Sequence, residues 1–194
     1  MRALGERYDY SAAHSEHVAQ LARQLFQGLQ STHGLPESYG ELLEAAAMLH
    51  DVGHYVSSAK HHKHSYYLIA NSELPGYSDR ERQLIASIAR YHRGSFPQRD
   101  HEGFGELSTK EQRAVEQLAS LLRVADSCDN GRRRVVHSVL ANAKSERVTL
   151  TLLAAAPAEL EAWAAQKSAG MFREAFGRKL EVAVQTMKPV LNTP

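Results

Sequence analysis

A single cysteine, Cys128, is all that this 194-residue chain contains. That excludes an internal disulfide framework and suits a reducing compartment. No apolar run approaches the ~20 residues that a membrane-spanning helix needs. The opening MRALGERYDYSAAHSEH also lacks the apolar stretch of a secretory leader. Net charge is only +1, so no excess of one sign points to nucleic acid or to an anionic lipid surface. Internal repeats and low-complexity tracts are missing as well. What is left is an ordinary globular chain, expected in the cytoplasm and long enough to bury a core without covalent staples. Neither a membrane nor a nucleic acid is its expected partner.

Histidine, by contrast, is plentiful: there are 11, in no tag or tract. His50, His54, His61, His62, His64 and His92 all fall in one stretch. Around them the apolar residues recur at helical spacing. Val18, Leu21, Ala22, Leu25, Phe26 and Leu29 mark a helix over 11–29. A second runs from about Ser38 to Leu49, and a third from about Lys63 to Asn71. Ser78 with Glu81, and Ser108 with Glu111, are capping boxes that open two more helices. The stretch from Gly94 to Gly105 reads as a loop, and 132–145 as a further helix. Beyond that the pattern changes. Residues 147–152 alternate as a strand does, 157–176 read as one helix, and Leu180, Val182 and Val184 alternate again. The last few residues are expected to fray. The expected fold is therefore mainly α: a helical bundle over 1–145 and a small strand–helix–strand (α+β) unit over 146–194.

The placement of the special residues carries the chemistry. His14 precedes Val18 by four and Leu21 by seven; His50 follows Ala46 by four and Leu43 by seven. His92 stands in the same relation to Ile88 and Ile85, and Asp126 to Leu122 and Ala119. Four helices thus each aim a ligand-type side chain along their own apolar stripe. Singly, each has a plainer reading. A histidine on an apolar face is more often a satisfied core residue, Asp51 can cap the segment after it, and Asp126 can pair with Arg123, Arg132 or Arg133. Jointly they are harder to explain that way, because buried carboxylates cost several kcal/mol unless neutralised. A divalent cation would neutralise them. This mix of nitrogen and oxygen ligands suits Mn, Fe, Zn, Co or Ni.

The string Ala46-Ala47-Met48-Leu49-His50-Asp51-Val52-Gly53 resembles the signature of the HD superfamily of metal-dependent phosphohydrolases. His14-Ser15-Glu16-His17-Val18 is similar to that family's upstream histidine motif, and Leu122-Arg123-Val124-Ala125-Asp126 to its final aspartate. The resemblance implies a metal held by His14, His50, Asp51 and Asp126. His61 to Ile69, Asn71 to Gly76 and Arg90-Tyr91-His92-Arg93 resemble more closely the C-terminal HD-like domain of the exopolyphosphatase / guanosine pentaphosphate phosphohydrolase family. There this domain follows two ATPase-like lobes that hold the phosphatase site, so the resemblance is to the accessory domain standing alone. His64 and His92 are similar in position to the extra histidines of HD-type cyclic-dinucleotide phosphodiesterases, which implies a second ion bridged by Asp51. Two features depart from that pattern: Arg93 follows His92, and Gly94-Ser95-Phe96-Pro97 stands where those enzymes carry Gly-Tyr-Pro. One or two ions are therefore expected.

The function implied is hydrolysis of a phosphoester or phosphoanhydride in a phosphorylated small molecule or polyphosphate. Asp51 and His54 would serve catalysis, and Lys63, Arg90 and Arg93 would contact phosphate. The alternative is a non-catalytic regulatory module that binds nucleotide, alarmone or polyphosphate. In that case an exposed strand edge could also pair two copies into a homodimer.

Overall fold

A computed structural model of the chain describes residues 1–187. The expectation of frayed final residues falls outside that range. The elements run α1 (Arg2–Arg7), α2 (Ala12–Gly28), α3 (Gln30–His33), α4 (Glu37–Leu49), a 3-10 turn (Val52–Tyr55), α5 (His61–Ala70), α6 (Asp79–Arg90), α7 (Thr109–Ser127), β1 (Val136–Ala143), β2 (Arg147–Ala154), α8 (Glu159–Lys167), α9 (Ala169–Phe176) and β3 (Lys179–Thr186). Both capping boxes form: Ser78 and Glu81 close α6 reciprocally, as Ser108 and Glu111 close α7. The helical stripes bury as their spacing requires. Val18, Leu21, Ala22 and Phe26 of α2 and Leu43, Ala46 and Leu49 of α4 have no exposed surface. A fully buried Leu or Phe contributes about 1.5–3 kcal/mol over its exposed state, so these stripes fix the helices on which the site is built.

The mainly-α expectation is overturned by a three-stranded mixed sheet of order β1-β2-β3, which makes the chain α+β. The segment 132–145, read as a helix, instead contains β1. It pairs antiparallel with β2 (Val139 opposite Leu152), and β2 pairs parallel with β3 (Val148 opposite Leu180). The misreading has a physical cause. A bulge between Val136 and Ser138 interrupts the two-residue alternation. The buried positions of β1 become Val136 and Val139, three apart, as on a helix face. The helix expected over 157–176 is also divided, at Ser168. The parallel pairing needs a crossover from β2 to β3, and α8 and α9 provide it before Gly177 ends α9 in the left-handed region (φ 66°).

Candidate metal centre

Asp51 is the hub of a cluster of histidines and carboxylates. Its Oδ1 lies 3.7 Å from His50 Nε2, 3.5 Å from His54 Nε2, 3.4 Å from His61 Nε2 and 3.8 Å from His92 Nε2. Asp126 Oδ1 faces His14 Nε2 at 3.2 Å and His50 Nε2 at 3.6 Å. Three sets of side chains each bring ligand atoms within 4.8 Å of one another: His14, His50 and Asp126; His50, Asp51 and His92; Asp51, His54 and His61. All of the cluster but His50 lines a cavity of about 160 Å³, together with Arg93, Asp129 and Arg132.

Local structure aims these rings. His50 donates its Nδ1–H to Ala47 O (2.7 Å), as His92 does to Ala89 O (2.6 Å), each at the end of its helix. His61 donates Nδ1–H to Ser58 O (3.2 Å), and His14 donates to Asp129 Oδ2 (2.8 Å). With Nδ1 committed, each ring turns its Nε2 inward, where it can carry a proton or meet a cation. The buried Nε2 atoms of His14 and His50 find no hydrogen-bond partner among the described residues. His61 Nε2 stands only 3.1 Å from His92 Nε2, where two lone pairs would repel. Lone pairs that face each other and carboxylates need a proton or a cation between them. The donor set therefore fits a transition metal, with Asp129 in the orienting position behind a ligand histidine.

The electrostatics agree. Burial opposes ionisation of Asp51, but His50, His92 and the hydrogen bond from Arg132 outweigh it and hold the carboxyl well below the usual range. Asp126 is likewise held far down, against its burial, by His14 and His50. Burial disfavours a charged His50, yet Asp51 and Asp126 raise it to about 9, while burial and the neighbouring His50 push His92 down to about 3. Both acids are thus ionised at neutral pH, and the cluster keeps protons that a cation would displace.

Backbone geometry around the hub is tight. A Cβ on Gly53 would come within 2.1 Å of His61 O and 2.4 Å of Ser65 N. That close approach lets Ser65 Oγ accept from Gly53 N (2.9 Å) and donate to His50 O (2.6 Å), which ties α5 to the end of α4. Across the cavity Asp129 Oδ1 accepts from Arg134 N at 2.7 Å and shapes the turn after α7. Arg132, in that turn, adopts φ 52° and donates from Nη2 to Asp51 Oδ2 at 2.6 Å. A left-handed conformation costs a non-glycine residue about 1 kcal/mol or more, and here it aims a guanidinium at the hub.

His14, His50, Asp51, His92 and Asp126 come together, and His54 joins them at the rim, stacked on His61 with ring centroids 4.0 Å apart. His64 does not join them. The inner stripe of α5 is His61, Ser65 and Ile69, and His64 lies on its flank, so His61 occupies the place expected for His64. Arg93 lines the cavity, whereas Lys63 and Arg90 do not. Arg90 donates to Glu102 O (3.2 Å) and packs over Tyr66 and Tyr91. Sequence reasoning missed Asp129, His61 and the pairing of Arg132 with Asp51. Only Asp129 left a signal, standing one turn beyond Asp126.

Residues 1–163 match the family described as Ppx/GppA phosphatase, domain III. The chain is 30% identical over 176 residues to the guanosine-5'-triphosphate,3'-diphosphate pyrophosphatase of Vibrio vulnificus, covering 82% of this chain and 33% of that protein. It is 29% identical over 152 residues to the same-named protein of Aeromonas hydrophila, covering 77% of this chain and 30% of the relative. For the Pseudoalteromonas translucida protein the figures are 30% over 126 residues, 62% and 24%. The chain therefore spans a quarter to a third of the length of these curated relatives. The match over residues 1–163 places the chain in the Ppx/GppA phosphatase domain III family.

Proposed function

We propose that this protein is a metal-dependent phosphohydrolase with an HD-type centre, acting on a phosphoester or phosphoanhydride of a nucleotide-like or polyphosphate substrate. The observation that carries the reading is the common orientation of His14, His50, His61 and His92. Each spends Nδ1 outward and turns Nε2 toward Asp51 and Asp126. His14, His50, Asp51 and Asp126 would hold one ion, and Asp51 with His54, His61 and His92 a second. A bound divalent ion would supply charge to polarise a phosphoryl oxygen and a water of lowered pKa.

The chain's own residues then have distinct tasks. Arg93 and Arg132 bring positive charge to the cavity wall, where a phosphate's remaining oxygens would lie. Arg132 also holds Asp51 in place. His54 is 39% exposed at the rim, so it can hydrogen-bond phosphate or carry a proton to the leaving oxygen. The printed names of the relatives support a substrate of nucleotide polyphosphate type.

A regulatory reading is favoured by one fact: the activity named for those relatives belongs to much longer chains, of which this one covers a quarter to a third. Purified protein loaded with Mn or Fe and assayed on generic phosphoesters and nucleotides separates the two. Turnover that vanishes together with bound metal in Asp51→Ala and Asp126→Ala is the expected result. Metal binding with saturable nucleotide binding but no turnover would move the chain to the regulatory class. Turnover that survives loss of the metal would sink the mechanism.

A further inference from the structure

The chain has one tryptophan, and it stands in an unusual place. Trp163 lies on α8, 56% exposed, and lines a second cavity of about 290 Å³. That cavity shares His92, Arg93, Asp126 and Asn130 with the metal-centre cavity, so the two form one continuous cleft. Three cations line its second half, Arg93, Arg123 and Lys167, against a single carboxylate, Asp126. Arg123 is committed to the scaffold: it donates to the carbonyl oxygens of Tyr91, His92 and Gly94 and so fixes the turn that carries His92 and Arg93. Arg93 is exposed, and the Nζ of Lys167 lies 3.6 Å above the Trp163 ring.

An exposed indole at the wall of a cationic cleft has no use for an inorganic polyanion, which offers it nothing to stack on. A planar base does. We infer that Trp163 and Lys167 form a nucleoside subsite next to the metal centre: the indole stacks the base, and Lys167 and Arg93 meet the phosphates that lead to the centre. The two cavities together are of the size that takes a small organic ligand. The inference rests on the proposed phosphohydrolase reading and narrows its substrate to nucleoside polyphosphates rather than inorganic polyphosphate.

Because Trp163 is the sole tryptophan, its fluorescence reports this subsite alone. Metal-loaded protein would be titrated with the β,γ-imido analogues of GTP and ATP, and separately with inorganic tripolyphosphate. Expected is saturable quenching by at least one nucleotide, with tripolyphosphate binding more weakly. Trp163→Leu should weaken nucleotide binding, read by calorimetry, by about 5- to 150-fold, the range for loss of one base–aromatic stack. Trp163→Phe should recover most of that loss, and tripolyphosphate binding should be unchanged in both variants. Equal binding of tripolyphosphate and nucleotides with no effect of Trp163→Leu would overturn the subsite, as would no quenching by any ligand. If nucleotides quench but nothing is turned over, the subsite stands and the phosphohydrolase reading falls. Turnover of generic phosphoesters without nucleotide quenching has the opposite meaning.

Discussion

His14 and Asp129 share a 2.8 Å hydrogen bond between groups that are both buried, 115 positions apart in the chain. The bond fixes the tautomer of His14 and leaves its Nε2 facing Asp126. Outer partners of this kind typically contribute 10- to 100-fold in metal affinity. Asp129→Asn should lower affinity for Mn or Zn by about that range while leaving the fold intact, checked by competition with a chelating dye and by circular dichroism. Unchanged affinity would show that His14 is oriented by packing alone.

Gly53 tests the close approach of α5 to the dyad. An added Cβ meets the backbone of His61 and Ser65 first, and Ser65 Oγ just beyond. Gly53→Ala should destabilise the protein by about 1–3 kcal/mol, the usual cost of overpacking, and displace His61 from Asp51. Chemical denaturation measures the first effect, and metal stoichiometry the second, as loss of at most one ion.

Acid stability should report the second capping box. Glu111 accepts from Arg80 and from Ser108, and these partners lower its pKa from 4.5 to about 2. A carboxylate lowered on folding adds stability that is fully present above its unfolded pKa and is lost as pH falls through the folded one. The contribution should therefore persist above about pH 4.5 and disappear toward pH 2. Glu111→Gln should cost about 1 kcal/mol at pH 7, the scale of a helix cap, and nothing at pH 2, as seen in paired urea titrations. An equal cost at both pH values would assign the effect to packing.

Metal addition should raise the melting temperature, since a ligand that binds only the folded state stabilises it by mass action. Excess EDTA should reverse the shift, and Asp51→Asn with Asp126→Asn should abolish it. A shift of undiminished size in that double variant would place the ion elsewhere in the chain.

Much of this was legible from spacing. The stripes of α2, α4, α6 and α7 place His14, His50, His92 and Asp126 on inner faces, and both capping boxes are readable as short strings. What could not be read depended on contacts between distant segments. The bulge in β1 disguised a strand as a helix, because burial three residues apart satisfies either periodicity. His61 could not be preferred to His64 without knowing which side of α5 faces α6 and the 3-10 turn. Arg132 reaches Asp51 only because its backbone enters the left-handed region, and no pattern of residue types announces that. Trp163 joins the cleft through the crossover that makes β3 parallel to β2, a topology that alternation along a strand does not encode.

The bond between His14 and Asp129 also sets an order of events. A ribosome delivers His14 before Asp129, which follows it by 115 positions. Until then His14 has neither its orienting carboxylate nor the carboxylate of Asp126 that faces its Nε2. The proposed centre therefore cannot be completed on α2 and α4 alone. A cation held as proposed would find its full ligand set only after α7 has docked on α2, so metal loading would follow the packing of the helices rather than guide it.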